Sequence, residues 1–205
     1  MLQYHIQDYE KETIVSDLDI VILAAGVGKR MRSSLPKVLH KLAGKPLLKH
    51  AIDTAQTLSP RKIYIVYGHG GEQVLTEIND DQLTWVKQEP QLGTGHALLQ
   101  VLPFLAKSGK TLVLLGDVPL IQENSLTQLV ASASANNFAL LTVTLANPFG
   151  YGRIIREDGT NQVSAIVEEK DANEIQRSIN EINTGIMVLP NAYLHDYLPK
   201  LSNSN

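Results

Sequence analysis

The run Ile20-Val21-Ile22-Leu23-Ala24-Ala25, closed by Gly26-Val27-Gly28-Lys29-Arg30-Met31, decides the fold. Six consecutive apolar residues that stop at a glycine read as a strand buried on both faces. The pattern recurs at 62–67, ending at Gly68, more weakly at 83–87, again at 111–115, ending at Gly116, and at 139–145. Residues 46–58, 71–78, 94–105 and 123–135 between them suit helices. Pro46 is tolerated at a helix start because that N–H has no helical partner. Strands alternating with helices predict βαβ units and a mostly parallel α/β sheet covered on both faces. In such sheets ligands bind beyond the carboxyl ends of the strands. Gly26, Gly68, Gln88, Asp117 and Pro148 therefore mark where to look.

After Pro148 the rhythm changes. Residues 152–156 and 163–167 predict a hairpin across Asp158-Gly159, followed by a helix over 171–179, a strand over 182–189 and a helix over 191–201. This is a smaller, mixed second half expected to pack on the main sheet. The expected organisation is an N-terminal tail over 1–17 and one domain over 18–205. At 205 residues the chain is long enough for a sizeable core. Hydrophobic residues make up 43% and charged residues 19%, which excludes disordered and fibrous classes. A formal charge of −3 offers no basic excess for nucleic acid or an anionic membrane. There are no cysteines, so disulfides, thiolate metal sites and cysteine nucleophiles are excluded, which fits a reducing compartment. The N-terminus lacks a signal-peptide pattern, and the longest uncharged stretch, 124–152, is too polar to span a membrane. The expectation is a cytoplasmic protein with neither nucleic acid nor membrane as partner.

Four clusters could carry chemistry. In the first loop, small residues from Leu23 to Gly28 let backbone N–H groups approach an anion, Arg30 offers a planar fork to phosphate oxygens, and Lys37, in Leu35-Pro36-Lys37, offers a mobile charge. The loop is neither a Walker A motif nor the dinucleotide fingerprint, whose third glycine position holds Met31. A tight turn with solvated cations is its plain alternative. In Gln88-Glu89-Pro90-Gln91-Leu92-Gly93-Thr94-Gly95-His96, amides can read the edges of a base and Gly93 permits close main-chain approach. Thr94 is also a plausible helix cap, and His96 reads as structural. In Leu115-Gly116-Asp117-Val118-Pro119, a carboxylate just past a strand suits a hard cation such as Mg²⁺, or else caps a turn. The fourth cluster gathers Gly150-Tyr151-Gly152-Arg153-Ile154, Glu168 and Glu181-Ile182-Asn183-Thr184-Gly185-Ile186: a carboxylate, an amide and glycine main chain of the kind that meets sugar hydroxyls. Each of these is ordinary taken singly.

With these motifs in this order, the chain resembles the sugar-nucleotide pyrophosphorylases from about Asp19 onward. Within them it is most similar to the bacterial N-acetylglucosamine-1-phosphate uridylyltransferase branch, where this domain is joined to a glucosamine-1-phosphate acetyltransferase. The resemblance implies a Rossmann-like, glycosyltransferase-A-like nucleotidyltransferase domain with a smaller sugar-binding lobe. It implies transfer of UMP from UTP to N-acetylglucosamine 1-phosphate, giving UDP-N-acetylglucosamine and pyrophosphate for cell-envelope precursors. By position, Leu23, Ala24, Ala25 and Gly26 would hold the nucleotide by main chain, beside Leu115 and Gly116. Arg30 and Lys37 would bind its phosphates and, with Asp117, form the catalytic set. Gln88 and Gly93 would read uracil with Thr94 beside them, Asp117 would ligate Mg²⁺, and Gly152, Glu168 and Asn183 would hold the N-acetylglucosamine moiety. The alternatives are a nucleotidyltransferase of other base or sugar specificity, and a sugar-nucleotide-binding fragment without catalysis.

The chain departs from the family pattern at Val27, Lys29 and Leu115, none of which removes a proposed ligand. The family also continues beyond the last residues seen here, into a segment with a second metal ligand and then a β-helix that trimerises and carries acetyltransferase activity. The resemblance therefore implies a C-terminally truncated domain with an incomplete metal site and no acetyltransferase function.

Overall fold

The computed structural model describes residues 17–201 apart from 27, 29, 30, 32 and 69. The expected tail, but for Asp17, and the expected phosphate ligand Arg30 lie outside the described residues. Strand β1 (Leu18–Leu23) is followed by a small hairpin of β2 (Lys41–Leu42) and β3 (Lys45–Pro46), which leads into helix α1 (Leu47–Thr57). Then come β4 (Lys62–Tyr67), α2 (Glu72–Ile78), β5 (Leu83–Lys87), α3 (Thr94–Val101), β6 (Lys110–Leu115) and α4 (Glu123–Ser132). The second half contains β7 (Ala139–Thr144), β8 (Arg153–Arg156), β9 (Val163–Val167), α5 (Glu174–Arg177), β10 (Glu181–Pro190) and α6 (Asn191–Tyr197).

The main sheet runs β5-β4-β1-β6-β10-β8-β9, with β7 also paired to β10. Pairs β5–β4, β4–β1 and β1–β6 are parallel. The chain order therefore reverses between β1 and β6, the switch point at which open α/β sheets bind ligands. The expected mixed half does not form a separate layer. It continues the same sheet edgewise through β10, whose pairs with β6, β7 and β8 are all antiparallel.

Alternation along the parallel strands sorts side chains to two cores. Ile20, Ile22, Ile65, Leu112 and Leu114 face α1 and α4, meeting Leu48, Ile52 and Leu126. Val21, Tyr64, Val66 and Val113 face α3 and the C-terminal helix, meeting Ala97, Leu98, Val101 and Leu194. Each fully buried Leu or Ile contributes about 1.5–3 kcal/mol. This double cover is why the strands read as unbroken apolar runs.

Several boundaries differ from the sequence reading, each for a local reason. β1 ends at Leu23 instead of Ala25: Ala24 N donates once more to Val66 O at 2.8 Å, and the chain then leaves the sheet. α3 stops at Val101, and Pro103, which lacks an N–H, turns the next residues into a 3₁₀ turn, Leu102–Phe104. Pro199 does the same after α6. The helix expected over 171–179 contracts to α5, set by a capping box in which Asn173 and Gln176 exchange side-chain-to-backbone bonds, both at 2.9 Å.

The pole of the sheet opposite the cleft described below holds a buried polar knot. Asp19, 1% exposed, pairs through both carboxylate oxygens with Arg61. Asn191 is fully buried. It donates to Ala106 O at 2.9 Å and Ser108 O at 3.0 Å and accepts from Thr111 Oγ1 at 2.6 Å. The hydrogen bond from Arg61 to Asp19 raises the guanidinium pKa above its ordinary value.

Candidate active site

At the carboxyl ends of β1 and β6 lies a cleft of about 510 Å³. Its lining includes Leu23, Ala25, Gly26, Lys37, Gln88, Gly93, Thr94, Leu115 and Asp117, all singled out from sequence. They arrive from several elements. Leu23 ends β1, Leu115 ends β6 with Asp117 two residues on, Gln88 follows β5, and Thr94 opens α3. Lys37 starts a 3₁₀ turn, Lys37–Leu39, whose Val38 and Leu39 are buried, so the lysine's backbone is anchored in the core.

The electrostatic centre of the cleft is an ion pair: Lys37 Nζ donates to Asp117 Oδ2. Both side chains are partly exposed, at 38% and 27%, so the charges are open to a ligand. The loop before them is shaped to let Lys37 in. Gly28 has φ +62°, and a Cβ there would lie 2.9 Å from Lys37 Cβ, so the position needs glycine on both counts. Neither Ala25 N nor Gly26 N donates to a described residue, leaving both available to an anion. By contrast, Ala24 N is taken by Val66 O and its side chain joins the core. Gly116 packs under Leu48 and Val38, with its N–H on Leu23 O at 2.9 Å. These two residues shape the cleft from behind instead of lining it.

Gln88 is 3% exposed, and its amide nitrogen lies 2.9 Å from Gly93 O and 3.2 Å from His96 Nδ1. The sequence reading placed Gln91 only among the amides able to read a base edge; it lines the cleft and donates to Ala25 O, tying the β5–α3 loop to the β1 loop. The only signal for it was its place in the same glutamine–glycine segment. Val38 and Ala97 complete the apolar wall.

Gly152, Glu168 and Asn183 do not line this cleft; they form a second cluster. Asn183 N donates to Gly152 O at 2.8 Å, and the Glu168 carboxylate packs on Gly152, 3.1 Å from where a Cβ would stand. A latch holds this loop. Arg153, 2% exposed, bonds Glu169 at 2.7 Å, and Glu169 also accepts from Gly150 N at 3.1 Å. The hydrogen bonds from Arg153, then Gly150, hold the Glu169 carboxyl below its ordinary pKa. β10 joins the two clusters. β6 and β8 pair with the same side of it, at opposite ends of a bulge between Asn183 and Met187, and Gly185 in that bulge packs near Leu115.

No group of three or more His, Asp or Glu side chains suited to a metal occurs among the described residues. The cleft instead offers one carboxylate, Asp117, which suits a divalent cation that takes most of its oxygens from phosphates. Among the described residues no helix is long and apolar enough to cross a membrane.

Comparison with known proteins agrees with this geometry. The profile of the MobA-like NTP transferase domain matches residues 20–182. The chain belongs to that family. This NTP transferase domain is 62% identical over 189 residues to the Bifunctional protein GlmU of Nitrosomonas eutropha and 60% identical over 191 residues to that of Nitrosospira multiformis. The matches cover 92% and 93% of this chain but 41% and 42% of those proteins, so the chain spans about two fifths of their length. Among solved structures, UDP-glucose pyrophosphorylase complexed with UDP-glucose superimposes with a TM-score of 0.69 at 20% identity, covering 90% of this chain and 80% of that one. HddC of Yersinia pseudotuberculosis complexed with GMP-PN gives 0.65 at 21%, covering 90% and 86%. These two likenesses show a shared fold.

Proposed function

We propose that this domain transfers UMP from UTP to N-acetylglucosamine 1-phosphate, releasing pyrophosphate. The observation that carries the reading is the Lys37–Asp117 pair in a cleft lined by Gln88, Ala25 and Gly26, the last two with N–H groups that donate to no described residue. A cation, a carboxylate and an amide in that arrangement suit a nucleoside triphosphate with its metal. The high identity to the GlmU proteins and the Gly152–Glu168–Asn183 cluster support N-acetylglucosamine as the sugar.

In this mechanism a phosphate oxygen of the sugar 1-phosphate attacks the α-phosphorus in line. The new P–O bond forms as the α–β anhydride bond breaks, and pyrophosphate leaves with the electron pair. The nucleophile is already an anion, so no general base is required. The chain must bring two polyanions together. Lys37 exchanges Asp117 for phosphate oxygens and stabilises the charge developing on the leaving group. Arg30 is assigned to the same phosphates from sequence. Ala25 and Gly26 N–H groups orient the triphosphate, and Gln88 with Gly93 selects the base. Asp117 would hold Mg²⁺, which when bound supplies charge neutralisation and Lewis acidity. Glu168 and Asn183 would hydrogen-bond the sugar hydroxyls and acetamide. Cytoplasmic activity is expected, where these substrates occur.

Titration calorimetry of this chain with UDP-N-acetylglucosamine and Mg²⁺, with ADP-glucose as control, tests the reading. Selective binding of the first ligand is expected. Equal affinity for both, or preference for ADP-glucose, overturns the assignment of base and sugar.

A further inference from the structure

We propose that His96 is a positioning residue that fixes which face of the Gln88 amide the cleft presents, and so sets the choice between uracil and cytosine. The inference rests on the base-reading role given to Gln88 above and adds the residue that makes that role possible.

The argument is one of hydrogen-bond accounting. The terminal group of Gln88 lies 2.9 Å from Gly93 O, a carbonyl that can only accept. The amide nitrogen must therefore face it. That nitrogen also lies 3.2 Å from His96 Nδ1, within reach of its second hydrogen. For His96 Nδ1 to accept that hydrogen, the ring proton must sit on Nε2. His96 Nε2 lies 3.1 Å from the terminal amide of Gln100. That amide can take the Nε2 proton through its oxygen after a half-turn, at the cost of the longer 3.4 Å bond from Gln100 Nε2 to His96 O. In this arrangement every link of the relay Gln100–His96–Gln88–Gly93 sets a donor against an acceptor.

Its consequence lies in the cleft. With both hydrogens of the Gln88 amide engaged, its oxygen is left, and Oε1 accepts from no described residue. Gly93 N likewise donates to no described residue. The cleft thus shows an acceptor beside a donor. Uracil carries N3–H next to carbonyl oxygens and matches that pair; cytosine carries a bare N3 at the same ring position and does not. If His96 is replaced by an apolar residue, only Gly93 O restrains the amide. A half-turn of Gln88, which exposes N–H to the base, is then opposed by Gly93 O alone, and discrimination against cytosine weakens.

UDP and CDP binding to the wild-type chain and to His96→Leu, His96→Asn and Gln88→Leu tests this by titration calorimetry, with a thermal melt of each variant. The UDP-over-CDP affinity ratio should fall about tenfold in His96→Leu. It should be largely restored in His96→Asn, whose Oδ1 can accept from Gln88 as Nδ1 does. If His96→Leu does not fold, Gln100→Leu replaces it. Freeing Nε2 lets the ring proton move to Nδ1, and the ratio should fall in the same direction. A wild-type ratio kept in His96→Leu (or in its replacement), beside a ratio lost in Gln88→Leu, overturns the inference alone. A ratio kept in Gln88→Leu, or no preference in the wild-type chain, overturns the base-reading role beneath it.

Discussion

Gly68, at the end of β4, is the position where the smallest substitution should have the widest effect. A Cβ built there falls 1.8 Å from Gln91 Nε2 and 2.8 Å from both Gln91 Cδ and Ala25 O. In Gly68→Ala, Gln91 can swing aside, but only by giving up its hydrogen bond to Ala25 O, at about 1 kcal/mol. The contact with Ala25 O is with backbone and cannot be relieved by a rotamer change. It must push the β1 loop, an overpacking cost of about 1–3 kcal/mol. The sum is about 3 kcal/mol, or a Tm lowered by roughly 6–12 °C for a chain of this size. The displaced loop carries Ala25 and Gly26, so affinity for nucleotide should fall as well. Urea denaturation of Gly68→Ala, Gln91→Ala and the double variant measures this. The steric argument requires that Gly68→Ala costs about 1–2 kcal/mol less in the Gln91→Ala background, because the closest clash is gone. Costs that simply add, within about 0.5 kcal/mol, would refute it.

On the proposed function, Lys37→Met should lower the rate of pyrophosphate release by roughly 10²–10³. Its melting should shift little, because a half-exposed pair such as Lys37–Asp117 contributes at most about 1 kcal/mol to stability. Asn191→Ala should cost about 3 kcal/mol in urea denaturation, because Thr111 Oγ1 and the carbonyls of Ala106 and Ser108 lose a buried partner. Glu169 is held below its ordinary pKa by Arg153 and Gly150, and Glu181 by Arg156 and Thr142. Depressed carboxyls stabilise the fold above the ordinary carboxylate range and lose that contribution as pH falls through their lowered values. The urea midpoint should therefore drop below about pH 4, and Glu169→Gln should flatten part of that drop.

Where the sequence carried a period or a run, it gave the architecture directly. The apolar runs around Ile22, Ile65 and Leu114 are strands because both faces are covered, and the glycines that end them mark the cleft. What it could not show was which groups were already engaged. Nothing in the letters of Ala24 or Gly116 says that their N–H groups are consumed by Val66 O and Leu23 O. The lysine and aspartate were legible as separate ligands; that they meet as an ion pair depends on two loops 80 residues apart. The β2–β3 hairpin went unread because two-residue strands have no period to detect. His96 looked structural because its importance lies in its tautomer, which only its neighbours determine.

The polar knot at the far pole bears on how the chain is made. Asp19 meets Arg61 across 42 positions, but the amide of Asn191, 3.5 Å from Asp19 Oδ2, arrives 172 positions later. A ribosome delivering this chain from its N-terminus exposes the first strand long before the residue that closes its end exists. Until α6 emerges, Thr111 and the loop carbonyls at 106 and 108 must be served by water. Co-translational folding should then halt at a loosely closed sheet and lock only when Asn191 clears the exit tunnel, a late step that limited proteolysis of stalled chains would expose.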